Sequence, residues 1–430
     1  MSATLFAASA AVAHLLVRTV AVDPAEVGEL VDLAPPEAPL LWVRRGDGLV
    51  AWGEALRFEV SGPTRFADAE RAWQRALDHA IVRDEVRLPG TGPVAFGSFA
   101  FDDTSARGGV VVVPRVVVGR RGDRAWITTV STDARLGAAP TPARVLRRQP
   151  PVAAPGVVVD EGPPPAAWGA VVARGIAAVR EGEVDKVVLA RDVHVRTEQP
   201  LDLRWPLRRL VAEYPSCWTF SVDGLLGATP ELLVRSEKGL VTSRVLAGTI
   251  RRTGDEAADL ARAAILAHSS KDLEEHEYAV ASVAQAIAPS CSSINVPEAP
   301  FVLHLPNVLH LASDVTGVLA GRERHPTSLA LAAALHPTAA VCGTPTSAAR
   351  EVIRRVEGMD RGRYAGPVGW FGADGDGEWG IALRSAEVDP GDPRRLRLFA
   401  GCGIVGASDP AAEVAESEAK LEPMRHALGS

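Results

Sequence analysis

Two pairs of acids in this chain are spaced for a shared task. Asp272 and Glu275 lie three residues apart in mid-chain. Glu413 and Glu416 repeat that spacing near the C-terminus, with Lys420 a turn further on. Both stretches read as helix, so each pair places two carboxylates on one face. Four acids on two helices that meet in space form the oxygen donor set of a hard divalent cation such as Mg²⁺. The plain alternative is a pair of solvated helix faces. Ser269 also stands three residues before Asp272, so helix capping accounts for part of that aspartate's identity.

Further residues carry chemistry of other kinds. Lys186 sits in the strand-like run KVVLA. A lysine there is costly to bury unless neutral or paired, which makes it a candidate general base, against the alternative of an edge lysine facing water. Glu231 follows Ala228, Thr229 and Pro230 at the start of the next run, where desolvation would suit it to general-acid work. Leu246, Ala247, Gly248 and Thr249 read as a small-residue loop able to hold a substrate oxygen. Arg384 reads as part of a strand over 381–385 and is suited to a bidentate grip on a carboxylate. Gly401, Cys402 and Gly403 can expose backbone N–H groups to an anion, but no phosphate-binding helix follows them. His276 and His310 read equally well as hydrogen-bonded core histidines.

The elements that must position these residues read as α+β. Short strands fill 1 to about 135, with period-2 alternation at 56–61 and one helix over about 67–84. Residues 1–22 are apolar, lack early basic residues, and suit a first strand or helix rather than a signal peptide. Proline-rich stretches at 138–151 and 162–165 read as a connection. Helices are expected at 167–182, 255–267, 270–288, 327–335, 347–356 and 410–427. Strands are expected at 185–195, 217–222, 232–236, 368–372, 378–388 and 395–400, with a hairpin turn over 373–377. No β-α-β rhythm is evident, which points to antiparallel sheets.

Composition narrows the function classes. The chain has 430 residues and a net charge of −7 with no long basic run, which argues against a nucleic-acid partner. An acidic protein binds an anionic substrate only through local cations or a metal. Four scattered cysteines form no C-x-x-C pair and suggest reduced thiols in the cytoplasm. The apolar run at 110–118 is broken by Pro114 and Arg115, so no membrane span is expected.

Read together, ten segments resemble one family. They are DKVVLAR (185–191), GATPELL (227–233), LAGTIRR (246–252), SSKDLEEHEYAV (269–280), LHLASDVTG (309–317), LHPTAAVCGTP (335–345), RYAGPVGWF (363–371), EWGIALRSAEV (378–388), FAGCGIV (399–405) and EVAESEAKL (413–421). In this order they resemble the chorismate-utilising enzymes, specifically the isochorismate synthases, over about 165–425. Residues 1–155 match only loosely, as a variable β-rich half of a single unit spanning 1–430. The resemblance implies large, mostly antiparallel sheets packed as a sandwich with helices outside.

It also implies roles. Lys186 matches the water-activating base and Glu231 the general acid. Glu275 and Glu416 match direct Mg²⁺ ligands, with Asp272 and Glu413 holding metal-bound water. Arg384, Tyr364 and Gly403 match groups at the enolpyruvyl carboxylate of chorismate. Lys420, Gly248 and Thr249 match groups near the ring carboxylate and the metal, and His310 lines the pocket. The implied protein is a cytoplasmic monomer with a small-molecule substrate, an isomerase feeding menaquinone. The rivals are a salicylate synthase, an isochorismate synthase feeding a siderophore, and a silent paralogue acting as a binding subunit. The retained Lys186, Glu231 and four acids argue against the last. One departure is Ala339, where many relatives carry proline.

Overall fold

A computed structural model describes residues 15–36, 38–133, 139–146, 148, 150–153, 158–160, 164–321 and 325–429. Expectations for 1–14, and those at 138, 147, 149, 162 and 163 of the proline-rich connection, lie outside the described residues. Among the described residues two large sheets, of 13 and 10 strands, form the body. Among the described residues every strand pairing is antiparallel except that of Leu16–Val22 with Ile81–Asp84. The α+β sandwich read from the sequence is the observed architecture.

Each sheet draws strands from both ends of the chain. In the larger, Leu40–Arg44 pairs with Trp218–Val222; in the smaller, Val94–Phe99 pairs with Pro367–Gly372. The run Gly109–Val113 is buried at every position, as expected of a strand covered on both faces. Trp42 and Phe220 of one sheet share a core with Phe96 and Val368 of the other. Helices cover the outer faces. Leu207, Leu210, Leu421 and Met424 pack on one side of the larger sheet, and Trp168, Val172 and Ile176 belong to the other main core. Helix Thr346–Val356 shows the pattern plainly, burying Ala349, Val352, Ile353 and Val356 at i, i+3, i+4 and i+7.

Three sequence expectations are corrected. The helix expected over 67–84 ends at Leu77, and Ile81–Asp84 is an edge strand. Its Ile81, Val82 pair is β-branched and favours extended backbone once a parallel neighbour is available. The single strand expected over 378–388 is two, Gly377–Ile381 and Ser385–Asp389, in different sheets. The small-residue loop at 246–249 lies inside the long strand Leu240–Arg251, at a bulge. Among the described residues no helix is long and apolar enough to cross a membrane.

Candidate active site

The site arises where strands leave one sheet for the other. Leu225–Thr229 belongs to the larger sheet and Leu232–Glu237 to the smaller, with Pro230 and Glu231 at the crossing. Gly377–Ile381 and Ser385–Asp389 cross in the opposite sense, and Arg384 lies in that break. The two breaks are tied together. Ala228 N donates to Arg384 O and Ile381 N donates to Glu231 O, each at 3.3 Å. Arg384 takes φ = +49°, a left-handed conformation that costs an arginine on the order of 1 kcal/mol. Its side chain is thereby turned out of the strand register. Alternation alone would not have placed it.

Two helices and four strands close the space in front of these breaks. A cavity of about 210 Å³ is lined by all thirteen residues to which the resemblance gives roles; His276 and Cys402 do not line it. Lys186 opens strand Lys186–Arg196. Asp272 and Glu275 come from helix Ser270–Ile287, and Glu413, Glu416 and Lys420 from helix Pro410–Leu428. Thr249 and His310 face one another across strands Leu240–Arg251 and Val308–Leu319, beside the bulge at Gly248. Gly248 has φ = +76°, which glycine adopts freely and other residues do not. Gly403 lies within strand Asp392–Ile404, and a Cβ there would stand 2.9 Å from Lys186 Cε and 3.3 Å from Glu275 Oε1. A side chain there would push the Lys186–Glu275 pair from its place.

Electrostatics divide the cavity. On one wall Lys186 Nζ lies 2.5 Å from Glu275 Oε1, and Lys420 Nζ lies 2.7 Å from Glu416 Oε1 while donating to Gly401 O at 2.9 Å. Burial works against the charge on Lys420, but Glu416 holds its ammonium above the ordinary lysine value. Ser269 caps the first acidic helix and donates its hydroxyl to Asp272, so the capping role read for that pair is present. Carboxylate oxygens of Glu413 and Glu416 lie within 4.8 Å of one another and of Cys402 Sγ.

At the strand breaks Glu231 is 5% exposed, and burial pushes its carboxyl up to about 8 despite the opposing pull of Lys186. Arg384 is buried, and desolvation draws its guanidinium below the usual arginine value. Its Nη2 lies 2.7 Å from His310 Nε2. Its Nη1 is buried without a partner, and among the described residues no carboxylate lies within ion-pair distance of it. A buried cation with an open donor is costly unless a ligand supplies the anion.

Two functional neighbours escaped the sequence reading. Arg361 lines the cavity and pairs with Glu357, both almost fully buried. Glu357 accepts from Ala190 N at 2.8 Å, and Arg361 donates to Val188 O at 2.6 Å and Val341 O at 3.0 Å. The pair thus locks the lysine-bearing strand to the segment before helix Thr346–Val356. Its only signal in the sequence is the i, i+4 spacing of Glu357 and Arg361, which usually marks a surface pair. Tyr364, next along, stacks on Phe399 with ring centroids 5.0 Å apart.

Comparison with known proteins gives one consistent picture. A family model described as chorismate binding enzyme matches residues 6–429. The chain is 36% identical over 384 residues to the putative isochorismate synthase MenF of Mycobacterium tuberculosis, covering 86% of this chain and 96% of that protein. It is 41% identical over 267 residues to isochorismate synthase DhbC of Bacillus subtilis, covering 60% of this chain and 66% of that protein. Among solved structures, a putative 2,3-dihydroxybenzoate-specific isochorismate synthase, DhbC from Bacillus anthracis, is similar with a TM-score of 0.75. It is 32% identical and is matched over 93% of this chain and 98% of that one.

Proposed function

The chain belongs to the chorismate-binding enzyme family, and we propose that within it the protein is an isochorismate synthase, an isomerase that adds water at C2 of chorismate and expels the C4 hydroxyl. One observation carries the reading. A single cavity holds a buried acid kept protonated near neutral pH, Glu231, together with Lys186, four carboxylates from two helices, and Arg384, whose Nη1 has no acid partner among the described residues.

Chorismate is a dianion, and the cavity has two places for its carboxylates. Arg384, with Tyr364 and the backbone at Gly403, receives the enolpyruvyl carboxylate, which supplies the anion the guanidinium lacks. Lys420, Gly248 and Thr249 face the ring carboxylate. To act as base, Lys186 must first give up the proton it shares with Glu275 and enter as the neutral amine; its Nζ then takes a proton from the water that attacks C2. Glu231 gives its proton to the hydroxyl leaving C4, so one proton enters the lysine as one leaves the acid. Gly403 keeps the Lys186 and Glu275 side chains in register by leaving no side chain between them and the strand.

The donor set fits Mg²⁺. Asp272, Glu275, Glu413 and Glu416 are hard oxygen donors on two helix faces turned to one cavity, and two of them approach within 4.8 Å. Glu275 and Glu416 would bind it directly, and Asp272 and Glu413 through water. When bound, the ion supplies positive charge to the ring carboxylate and polarises the conjugated system.

The match to the putative isochorismate synthase MenF over most of both chains supports isochorismate as the product, and the menaquinone branch, a monomer and the cytoplasm are proposed with it. The rival is an isochorismate synthase serving a siderophore; one solved relative is named as specific for 2,3-dihydroxybenzoate. Purified protein with Mg²⁺ and chorismate is expected to yield isochorismate by chromatography, without ammonia. Salicylate plus pyruvate as main products would overturn the reading, and absence of turnover would favour a silent paralogue.

A further inference from the structure

The hydrogen bonds around His310 fix more than its position. A guanidinium carries only N–H donors. Arg384 Nη2 approaches His310 Nε2 to 2.7 Å, so Nε2 must offer a lone pair. The ring proton is then on Nδ1, which lies 3.0 Å from Thr249 Oγ1. Thr249 Oγ1 accepts that proton's hydrogen bond, and its own single hydroxyl hydrogen is left for the cavity that it lines. The other tautomer would set N–H against N–H at Arg384, and a doubly protonated ring would do the same beside a buried cation.

We propose that His310 is a positioning residue: a neutral, Nδ1-protonated imidazole that holds Arg384 at one end and turns the Thr249 hydroxyl toward substrate at the other. The proposal rests on the reading of Arg384 and Thr249 as substrate contacts. His310 is suited to the task because it sits on strand Val308–Leu319 directly opposite Thr249, where the bulge at Gly248 shifts the register by one residue. It is 6% exposed. Burial first, then the nearby charges of Arg384 and Lys420, disfavour an imidazolium, and the Gly248 carbonyl only partly offsets them. Arg384, held by one nitrogen, keeps Nη1 for a ligand carboxylate.

Two experiments test this. The first is nitrogen-15 NMR of the histidine rings in the whole protein, assigned with His310→Gln. A His310 signal with Nδ1 protonated and Nε2 bare is expected. Nε2 protonation, or a doubly protonated ring at neutral pH, overturns the proposal. No substrate is needed, so the tautomer is decided even if chorismate proves not to be the substrate.

The second separates the two ends of the relay. A glutamine amide reaches the place of Nε2 and can still accept from Arg384. An asparagine amide reaches only the place of Nδ1. His310→Asn is expected to raise KM for chorismate about tenfold, the size of one hydrogen bond to a charged group, with kcat within about threefold. His310→Gln is expected to keep KM within about threefold of wild type, since the charged contact survives. Equal KM values for the two variants, or a fall in kcat alone, overturn the positioning role. Wild-type turnover measured alongside shows whether the substrate assignment itself stands.

Discussion

Glu231 and Arg384 occupy matching strand breaks, joined backbone to backbone through Ile381 N to Glu231 O and Ala228 N to Arg384 O at 3.3 Å each. Both chains pass from one sheet to the other at this point, in opposite directions. The acid and the arginine are therefore fixed relative to one another by main chain rather than by side-chain packing. A shift of one break must move the other. This rigidity suits a site that must hold both ends of a small dianion in a near-attack arrangement.

Arg384 is a residue retained at the expense of stability. It is buried, strained at φ = +49°, and lacks an acid partner among the described residues. Arg384→Met is expected to raise KM for chorismate about 100-fold, consistent with loss of ~2–3 kcal/mol from a charged hydrogen bond. Its thermal midpoint without substrate should equal or exceed that of wild type, because a buried unpaired charge is removed. Kinetics and calorimetry on the same preparation check both. An unchanged KM would remove Arg384 from substrate binding.

Much of this site was legible in the chain, because acid pairs at i, i+3 and a lysine in an apolar strand are local patterns. Helices Ser270–Ile287 and Pro410–Leu428 match the expected 270–288 and 410–427 to within a residue, and the structure caps them with Ser269 and Asp409. What was not legible is non-local. The run EWGIALRSAEV alternates like one strand, and nothing in it announces that Ala382–Arg384 leaves one sheet for another. The bulge at Gly248 likewise looks like a turn until its partner strand Val308–Leu319 is in place. The burial of Glu357 and Arg361 cannot be read from a spacing that surface helices also use.

That buried pair should carry stability rather than chemistry. Glu357→Leu leaves Arg361 as an uncompensated buried charge, at an expected cost of ~3–5 kcal/mol. Replacing both with Leu and Met should cost less than the single change. Urea unfolding of the two singles and the double completes the cycle. A double variant as unstable as the sum of its singles would show that the two residues do not act together.

Metal dependence follows from the acid set. EDTA is expected to abolish turnover, and added Mg²⁺ to restore it. Glu416→Gln should weaken Mg²⁺ binding by about tenfold or more in calorimetry, within the range for loss of a metal-site partner. Glu413→Gln, assigned to the water shell, should weaken it less. Equal affinity in wild type and Glu416→Gln would place the ion elsewhere.

Lys186→Ala removes the proposed base while leaving both carboxylate grips intact. Turnover should fall by at least about 100-fold, the usual contribution of a general base. Chorismate binding followed by fluorescence or calorimetry should change little. Activity near that of wild type would require another base.

Glu231 makes a pH prediction whose sign is fixed by burial. Desolvation raises its carboxyl from 4.5 to about 8, so the free enzyme holds the catalytic proton at neutral pH and loses it as pH rises through about 8. The alkaline limb of kcat/KM, which reports groups of the free enzyme, should fall there. Stability moves in the same direction. Because the folded value exceeds the unfolded one, the folded chain binds the proton more tightly. That contribution is full below about pH 4.5 and is lost progressively as pH rises to about 8. Glu231→Gln carries no titrating group, so its thermal midpoint relative to wild type should climb between pH 5 and pH 8 and then level off. A difference that stays flat across that window would mean that Glu231 is ionised in the folded protein at neutral pH, and that the proton for the departing hydroxyl comes from another source.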